Sequence, residues 1–348
     1  MEQSVERLFG EAVLEEAASR FGLKAGGLKK LGDFENYVYE GEVEGEAEGE
    51  PRILRLTHSS HRSEEELLAE LDWIRHLVEA GLSIPKYYSS LEGRRTERVT
   101  VGDSYFTACV FAKAQGHAAD PANTADWNEE MYAAWGMLTG RMHAATRSYV
   151  VPEGLTPRPS WAEDELLQEP EKLVLPRDEY VLQRLEEIVT HLKGLPRGPE
   201  AYGLIHTDIH SGNFLVEDGR LTVFDFDDSA YNWFAHDLAI PLYYAVSAGK
   251  LPEMYKGDRG AYAEDFFRSF WAGYRSAYDL PAEWLREIPY FLKLRDVTLY
   301  LVLNKKIDPA DRTPGIVRWL EEIKDRIRRD VPAVELDYKA MAAGEAGR

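Results

Sequence analysis

The chain has 348 residues, 44% hydrophobic and 11% aromatic, a balance that gives a folded protein with apolar material for more than one core. Its 41 basic residues against 61 acidic ones leave a net charge of −20 with no basic block, which excludes a general nucleic-acid binder. The first residues lack the basic start and apolar run of an export signal, no stretch approaches the roughly 20 apolar residues that span a bilayer, and a lone Cys109 excludes an intrachain disulfide framework. A cytoplasmic protein without a membrane partner is expected.

In chain order, residues 1–25 read as an amphipathic helix. The stretch "LGDFENYVYEGEVEGEAEGEPRILRLTH" then gives two strands around a Glu/Gly-rich turn. "SEEELLAELDWIRHLVEAG" opens with Ser63 and Glu66 at capping-box spacing and closes at Gly81, so a helix lies between them. Residues 99–112 form two further strands around a Gly102-Asp103 turn, completing an α+β unit over residues 1–115. From Trp127 the period is helical, with helices over 127–149, 178–193, 236–249, 262–278, 282–304 and 313–329 and one β-hairpin among them. Residues 116–348 are therefore mainly α, with a Pro-rich loop at 150–161 and a frayed tail.

The hairpin "FLVEDGRLTVF" carries the densest chemistry. Asp218-Gly219 suits a type I′ turn, which needs positive φ at both central residues. Glu217 then pairs with Arg220, and counting outward sets Asn213 opposite Phe224, with Asp225 beside it at the open end. An amide and a carboxylate are hard oxygen donors of the kind Mg²⁺ takes. Asp208 precedes Asn213 in the spacing H-x-D-x-x-x-x-N of a kinase catalytic loop, and Asp225 stands where D-F-G has its aspartate, here written "DFD".

With "LIHTDIHSGNFLV", "LTVFDFDDSAY" and "HDLA" in that order, together with "GRMHAAT", the chain resembles the bacterial aminoglycoside phosphotransferase and choline kinase-like family over nearly its whole length. The resemblance implies a bilobal, protein-kinase-like α+β fold, with residues 1–115 as the nucleotide-binding lobe and 116–348 as the mainly helical catalytic and substrate lobe. It implies transfer of the γ-phosphate of ATP, with Mg²⁺, to a hydroxyl of a small molecule. Asp208 is then the base or hydroxyl-orienting group, and Asn213 and Asp225 hold the metal. His206 supports the loop and Asp237 fixes it by hydrogen bonds. Asp227, Asp228, Tyr231 and Trp233, around and after the metal residues, are candidates for the substrate pocket, and the net acidity favours a cationic acceptor.

The rest of the nucleotide site falls on the N-terminal unit. Leu67, Leu71, Ile74 and Leu77 share one face of the helix that starts after Ser63, and Glu70 falls within that face, so it needs a buried partner. The strand "RILRLTH" supplies Arg55, at a position where the resembled family carries lysine. Arginine reaches phosphates and pairs bidentately with a carboxylate, though its planar fork differs in reach from an ammonium. The adenine-facing hinge is expected after "FTACVF", at the backbone of Phe111 to Lys113. No Walker A pattern occurs in the chain.

Other readings use the same residues. His206, Asp208 and His210 on one strand face suit a hydrolase metal cluster, but that leaves Asn213 and Asp225 without a role. A Ser/Thr protein kinase of the same fold lacks its A-P-E anchor here, and a non-catalytic nucleotide-binding relative leaves the intact Asp208, Asn213 and Asp225 without a purpose.

Overall fold

The computed structural model describes residues 3–45, 50–247, 251–255 and 257–343, so the turn at 46–49 and the tail from 344 lie outside the described residues. The chain divides into two units. One comprises Met1–Gln115, Tyr149–Arg158 and Thr222–Asp227, and the other Gly116–Ser148, Pro159–Leu221 and Asp228–Arg348.

The first unit opens with α1 (Gln3–Glu6) and α2 (Glu11–Arg20). The single helix expected over residues 1–25 is thus split, because Gly10 is extended (φ −149°, ψ 176°) and serves as the N-cap of α2. Six strands follow, with one helix among them: β1 (Lys29–Gly32), β2 (Tyr37–Gly41), β3 (Arg52–His58), α3 (Glu64–Glu79), β4 (Tyr87–Tyr88), β5 (Glu97–Val101) and β6 (Ser104–Ala112). They pair antiparallel in the order β1-β2-β3-β6-β4, with β5 also on β6. The short β1 and β4 escape the sequence reading because neither has room for an alternating pattern.

Alternation along β3 divides its two faces. Leu54 and Leu56 are buried with Ala17 of α2 and with Phe106 and Val110 of β6, and Arg55 and Thr57 project from the opposite side. The capping box of α3 is closed at both bonds. Ser63 Oγ accepts from the Glu66 N–H at 3.2 Å, and Glu66 Oε2 accepts from the Ser63 N–H at 2.8 Å. Val101 pairs with Ser104 around Gly102-Asp103, as the turn chemistry predicts.

The second unit holds β7 (His117–Ala118), α4 (Glu129–Thr146), α5 (Glu165–Gln168), α6 (Tyr180–Lys193), β8 (Tyr202–Ile205), β9 (Phe214–Glu217) and the start of β10 (Arg220–Val223). After these come β11 (Ala230–Trp233), α7 (Phe234–Ser247), α8 (Arg259–Ala277), α9 (Ile288–Lys306), α10 (Pro314–Arg329) and α11 (Tyr338–Ala343). Helix α4 lies along α8, and α9 packs on α6, α7 and α10. The sequence suggests one hairpin here, and the structure adds a second small sheet. Strand β8 pairs antiparallel with β11, from Ile205 opposite Ala230 to Tyr202 opposite Trp233, while β9 lies between β7 and β10. Two four-residue strands so far apart in the chain carry no local turn signal. Among the described residues, no helix is long and apolar enough to cross a membrane.

Candidate active site

Strand β8 ends at Ile205, and the next residues form a loop whose backbone is held from below. Thr207 has φ 67°, a left-handed conformation that a β-branched residue adopts only under constraint. The constraint is Asp237, on the first turn of α7. Its Oδ2 accepts from the His206 N–H at 3.0 Å and its Oδ1 from the Thr207 N–H at 2.8 Å. Thr207 Oγ1 adds a bond to the Asp228 carbonyl at 2.8 Å. Asp237 itself is fully buried. Burial works against its charge, but His143 and His236 beside it hold its carboxyl below the usual carboxylate range. His143 is buried in turn against the Tyr274 hydroxyl, 2.8 Å from its Nδ1.

This foundation presents Asp208. The Asp208 N–H donates to His206 Nδ1 at 3.3 Å, so His206 acts on the loop from within. The Asp208 side chain is surrounded by donors: Arg295 Nη2 on Oδ1 at 2.5 Å, and His210 Nε2 and Asn213 Nδ2 on Oδ2, each at 3.3 Å. Burial opposes its charge, yet Arg295, His210 and His206 pull its carboxyl down to about 2, so it is ionised at neutral pH. Asn213 Nδ2 also donates to the Asp208 carbonyl at 2.9 Å. With its amide nitrogen engaged twice, Asn213 keeps Oδ1 as the atom to offer a cation.

Asn213 immediately precedes β9. The turn that follows has the expected type I′ signs, with φ 48° at Asp218 and 74° at Gly219. Asp225 belongs to the first unit, is exposed, and has φ 64°. The Asp225 carboxylate and the Asn213 amide oxygen are each hard donors, of a kind that suits Mg²⁺ better than a soft transition metal.

In the first unit, Arg55 and Glu70 meet. Nη1 donates to Oε1 at 2.9 Å and Nη2 to Oε2 at 2.7 Å, with both side chains buried. Burial would lower the Arg55 pKa, but the Glu70 carboxylate holds it well above its ordinary value. Phe111 lies with its ring centroid 5.3 Å from the Arg55 guanidinium, and Lys113 pairs with Glu40 at 3.0 Å.

Asp227 is buried, with Oδ2 2.6 Å from His61 Nε2 and its carbonyl accepting from Arg62 and Arg158. Burial opposes its charge, and His61, Arg62 and Arg55 hold it well below the carboxylate range. Ligand atoms of Glu35, His61 and Asp227 lie within 4.8 Å of one another. The arginines already balance the charge there, and a metal ion would have to displace the His61 proton.

Among the residues suggested for the substrate pocket, Trp233 is corrected by its burial. Its ring is fully covered, 5.5 Å from Trp161 and 5.2 Å from Tyr202, and its Nε1 donates to the Pro196 carbonyl. A side chain so enclosed is core. Tyr231 is half-buried on β11, and Asp228 adds its charge to the surroundings of Arg295 and Tyr244.

Residues 28–280 match the model of the phosphotransferase enzyme family. The chain belongs to that family. The phosphotransferase is 34% identical over 342 residues to the amicoumacin kinase of Bacillus subtilis (strain 168), covering 97% of this chain and 98% of that one. It is similar to a solved amicoumacin kinase in complex with AMP-PNP, Ca²⁺ and Ami, with TM-score 0.88 and 32% identity over 98% of this chain and 100% of that one. The microcompartment-associated aminopropanol kinase, at 20% identity and TM-score 0.72 over 97% and 99% of the two chains, shares the fold. The fold of the phosphotransferase is protein-kinase-like, with a sheet region and a helical region.

Two polar residues of this phosphotransferase were not anticipated from its sequence. Arg295 on α9 and Tyr244 on α7 reach Asp208 or its partner, and Arg295 Nη2 also bonds the Tyr244 hydroxyl. Arg295 sits among Phe291, Leu292, Leu294 and Val297, all buried. An arginine in so apolar a stretch requires a carboxylate, the same argument that singles out Glu70.

Proposed function

We propose that this phosphotransferase moves the γ-phosphoryl group of ATP to a hydroxyl of a small molecule, and that amicoumacin is the first acceptor to test. The observation that carries this reading is the ionised Asp208 carboxylate, fixed by a strained loop and ringed by donors, in a chain 34% identical to an amicoumacin kinase. The lobe assignment is residues 1–115 for the nucleotide and 116–348 for catalysis and the acceptor. Arg55, oriented by Glu70, takes the nucleotide phosphates, and the backbone from Phe111 to Lys113 takes the base. Cytoplasmic residence suits a chain whose one cysteine, Cys109, is buried and free.

Asp208 accepts the hydrogen bond of the acceptor hydroxyl and aims its oxygen at the γ-phosphorus. The new O–P bond forms as the bond to the β,γ-bridging oxygen breaks, and the hydroxyl proton leaves toward Asp208. A carboxylate held near 2 is a weak base. Orientation therefore precedes proton transfer, which follows once the hydroxyl has acidified in the forming bond. Asn213 and Asp225 would hold Mg²⁺, whose charge would offset that of the phosphate oxygens. Asp227, tied to His61, and Asp228 and Tyr231 are assigned to the acceptor side. The net charge of −20 favours an acceptor that carries a positive group.

ATP turnover over a panel of hydroxyl compounds that includes amicoumacin tests the reading. Asp208→Asn, which keeps size and removes the charge, is expected to lower kcat roughly 10²–10⁴-fold. Equal turnover by the variant and the parent would end this assignment.

A further inference from the structure

Arg295 carries more hydrogen-bonding capacity than its partners use. Its Nη2 donates to Asp208 Oδ1 and to the Tyr244 hydroxyl, and its guanidinium carbon lies 5.1 Å from the Tyr244 ring centroid. The ring of Tyr244 is in turn 4.5 Å from that of His210. The Nε–H of Arg295 is buried without a partner among the described residues, and Nη1 makes no hydrogen bond to them. A guanidinium has five donors in a fixed plane. Part of that plane is turned to a protein carboxylate, and the rest is unused.

A buried, unpaired N–H is costly, and a bound ligand's oxygen would remove that cost. The position of this one limits which ligand that is. The reacting hydroxyl must hydrogen-bond Asp208, and Arg295 is already bonded to the same carboxylate, so an oxygen that reaches Arg295 at the same time belongs to the acceptor within a bond or two of that hydroxyl.

We infer that Arg295 is a specificity-determining residue of the acceptor site, which binds a carbonyl, amide or carboxylate oxygen carried on the carbon next to the reacting hydroxyl. The inference rests on the reading in which Asp208 holds that hydroxyl. It sharpens the acceptor class in two ways. A hydroxyl flanked by a carbonyl oxygen is favoured, and an ammonium on the flanking carbon is disfavoured by the guanidinium. A cationic acceptor remains acceptable when its positive group lies away from Arg295.

Acceptor pairs that differ only in the group beside the hydroxyl, carboxamide in one and methylene in the other, test this with the parent enzyme and with Arg295→Gln and Arg295→Lys. Circular dichroism and thermal melting establish that each variant is folded. The parent is expected to prefer the carboxamide member. Arg295→Gln lowers kcat/KM for that member roughly 10–100-fold more than for the methylene member, mainly through KM, because a charged hydrogen bond is lost from one and not the other. Arg295→Lys restores part of the preference. If both members fall equally in Arg295→Gln, the residue acts only by positioning Asp208 and the inference is overturned. A parent that prefers an ammonium beside the hydroxyl overturns it as well. Failure of the underlying reading looks different: no hydroxyl compound is phosphorylated, and Asp208→Asn is indistinguishable from the parent.

Discussion

Arg55 and Glu70 lie against each other through two parallel N–H···O bonds, 2.9 and 2.7 Å long, with neither side chain open to solvent. Breaking such a pair on one side strands a buried charge, and that loss exceeds the net worth of the pair. Glu70→Ala is expected to destabilise the protein by about 3–5 kcal/mol. Replacing both residues, as Arg55→Met with Glu70→Leu, costs less than Glu70→Ala alone. Arg55→Lys keeps the charge, loses one of the two bonds, and costs about 1.5–3 kcal/mol. Urea unfolding of the four proteins checks the order, and a double replacement less stable than Glu70→Ala would contradict it.

The carboxylate of Asp237 accepts from two successive backbone N–H groups, those of His206 and Thr207. Asparagine offers one acceptor oxygen and turns an NH₂ toward the second N–H. Asp237→Asn should therefore cost about 1–3 kcal/mol at pH 7 and let Thr207 leave its φ of 67°. Displacement of Asp208 on that loop lowers kcat by about 10²-fold. The carboxyl is depressed in the folded state, so its stabilisation is present above the ordinary carboxylate pKa of about 4 and disappears as pH falls below it toward the folded value. Melting temperature against pH should fall more steeply below pH 4 for the parent than for Asp237→Asn, and parallel curves would count against this account.

What the sequence discloses depends on how local the cause is. Asp218-Gly219 dictates its turn through two positive φ values that Asp and Gly tolerate, so the hairpin and the start of β9 just after Asn213 are legible before any fold is known. Ser63 and Glu66 close their own box. Glu70 is legible because a carboxylate on an apolar helix face demands a cation, and one strand nearby offered it. Arg295 poses the same demand, but its partner Asp208 lies 87 residues away in the chain, and only the fold joins them. Trp233 failed for the complementary reason. Adjacency to an acidic cluster says nothing about which way a strand residue faces, and β11 turns this one into the core.

The same limit hides a helix contact. Gly136 and Gly140 of α4 and Gly273 of α8 face the partner helix so closely that a Cβ at Gly136 overlaps the Phe270 carbonyl, and one at Gly273 overlaps the Ala133 carbonyl. Backbone cannot yield as a side-chain tip can. Gly136→Ala is expected to cost about 3 kcal/mol or more, at the upper end for an overpacked core. At Gly32 an added Cβ meets nothing within 4 Å, and Gly32→Ala should stay within about 1 kcal/mol of the parent. Denaturant midpoints measure both. Similar midpoints would mean that α4 and α8 separate at little cost.

The assignment of Asn213 and Asp225 to Mg²⁺ makes a prediction that distinguishes binding from catalysis. Asn213 Nδ2 is engaged by Asp208, so the residue contributes through Oδ1 alone. Asn213→Ala therefore removes a donor and also one hydrogen bond on the Asp208 carboxylate, whereas Asp225→Asn removes charge and keeps the Asn213–Asp208 bonds. Loss of partners that merely orient metal ligands typically weakens metal binding by about 10–100-fold, and loss of a ligand should do at least as much. Both variants are expected to need at least about 10²-fold more Mg²⁺ for half-maximal turnover. Calorimetry with a non-hydrolysable ATP analogue should show that the gain in nucleotide affinity on adding Mg²⁺ shrinks in both. At saturating Mg²⁺ the two diverge: Asp225→Asn recovers more of the parental kcat than Asn213→Ala, because Asn213→Ala also removes a hydrogen bond from the carboxylate that aims the acceptor. Unchanged Mg²⁺ requirements in both variants would remove these residues from the metal site, and equal recovery would place Asn213 with the cation alone.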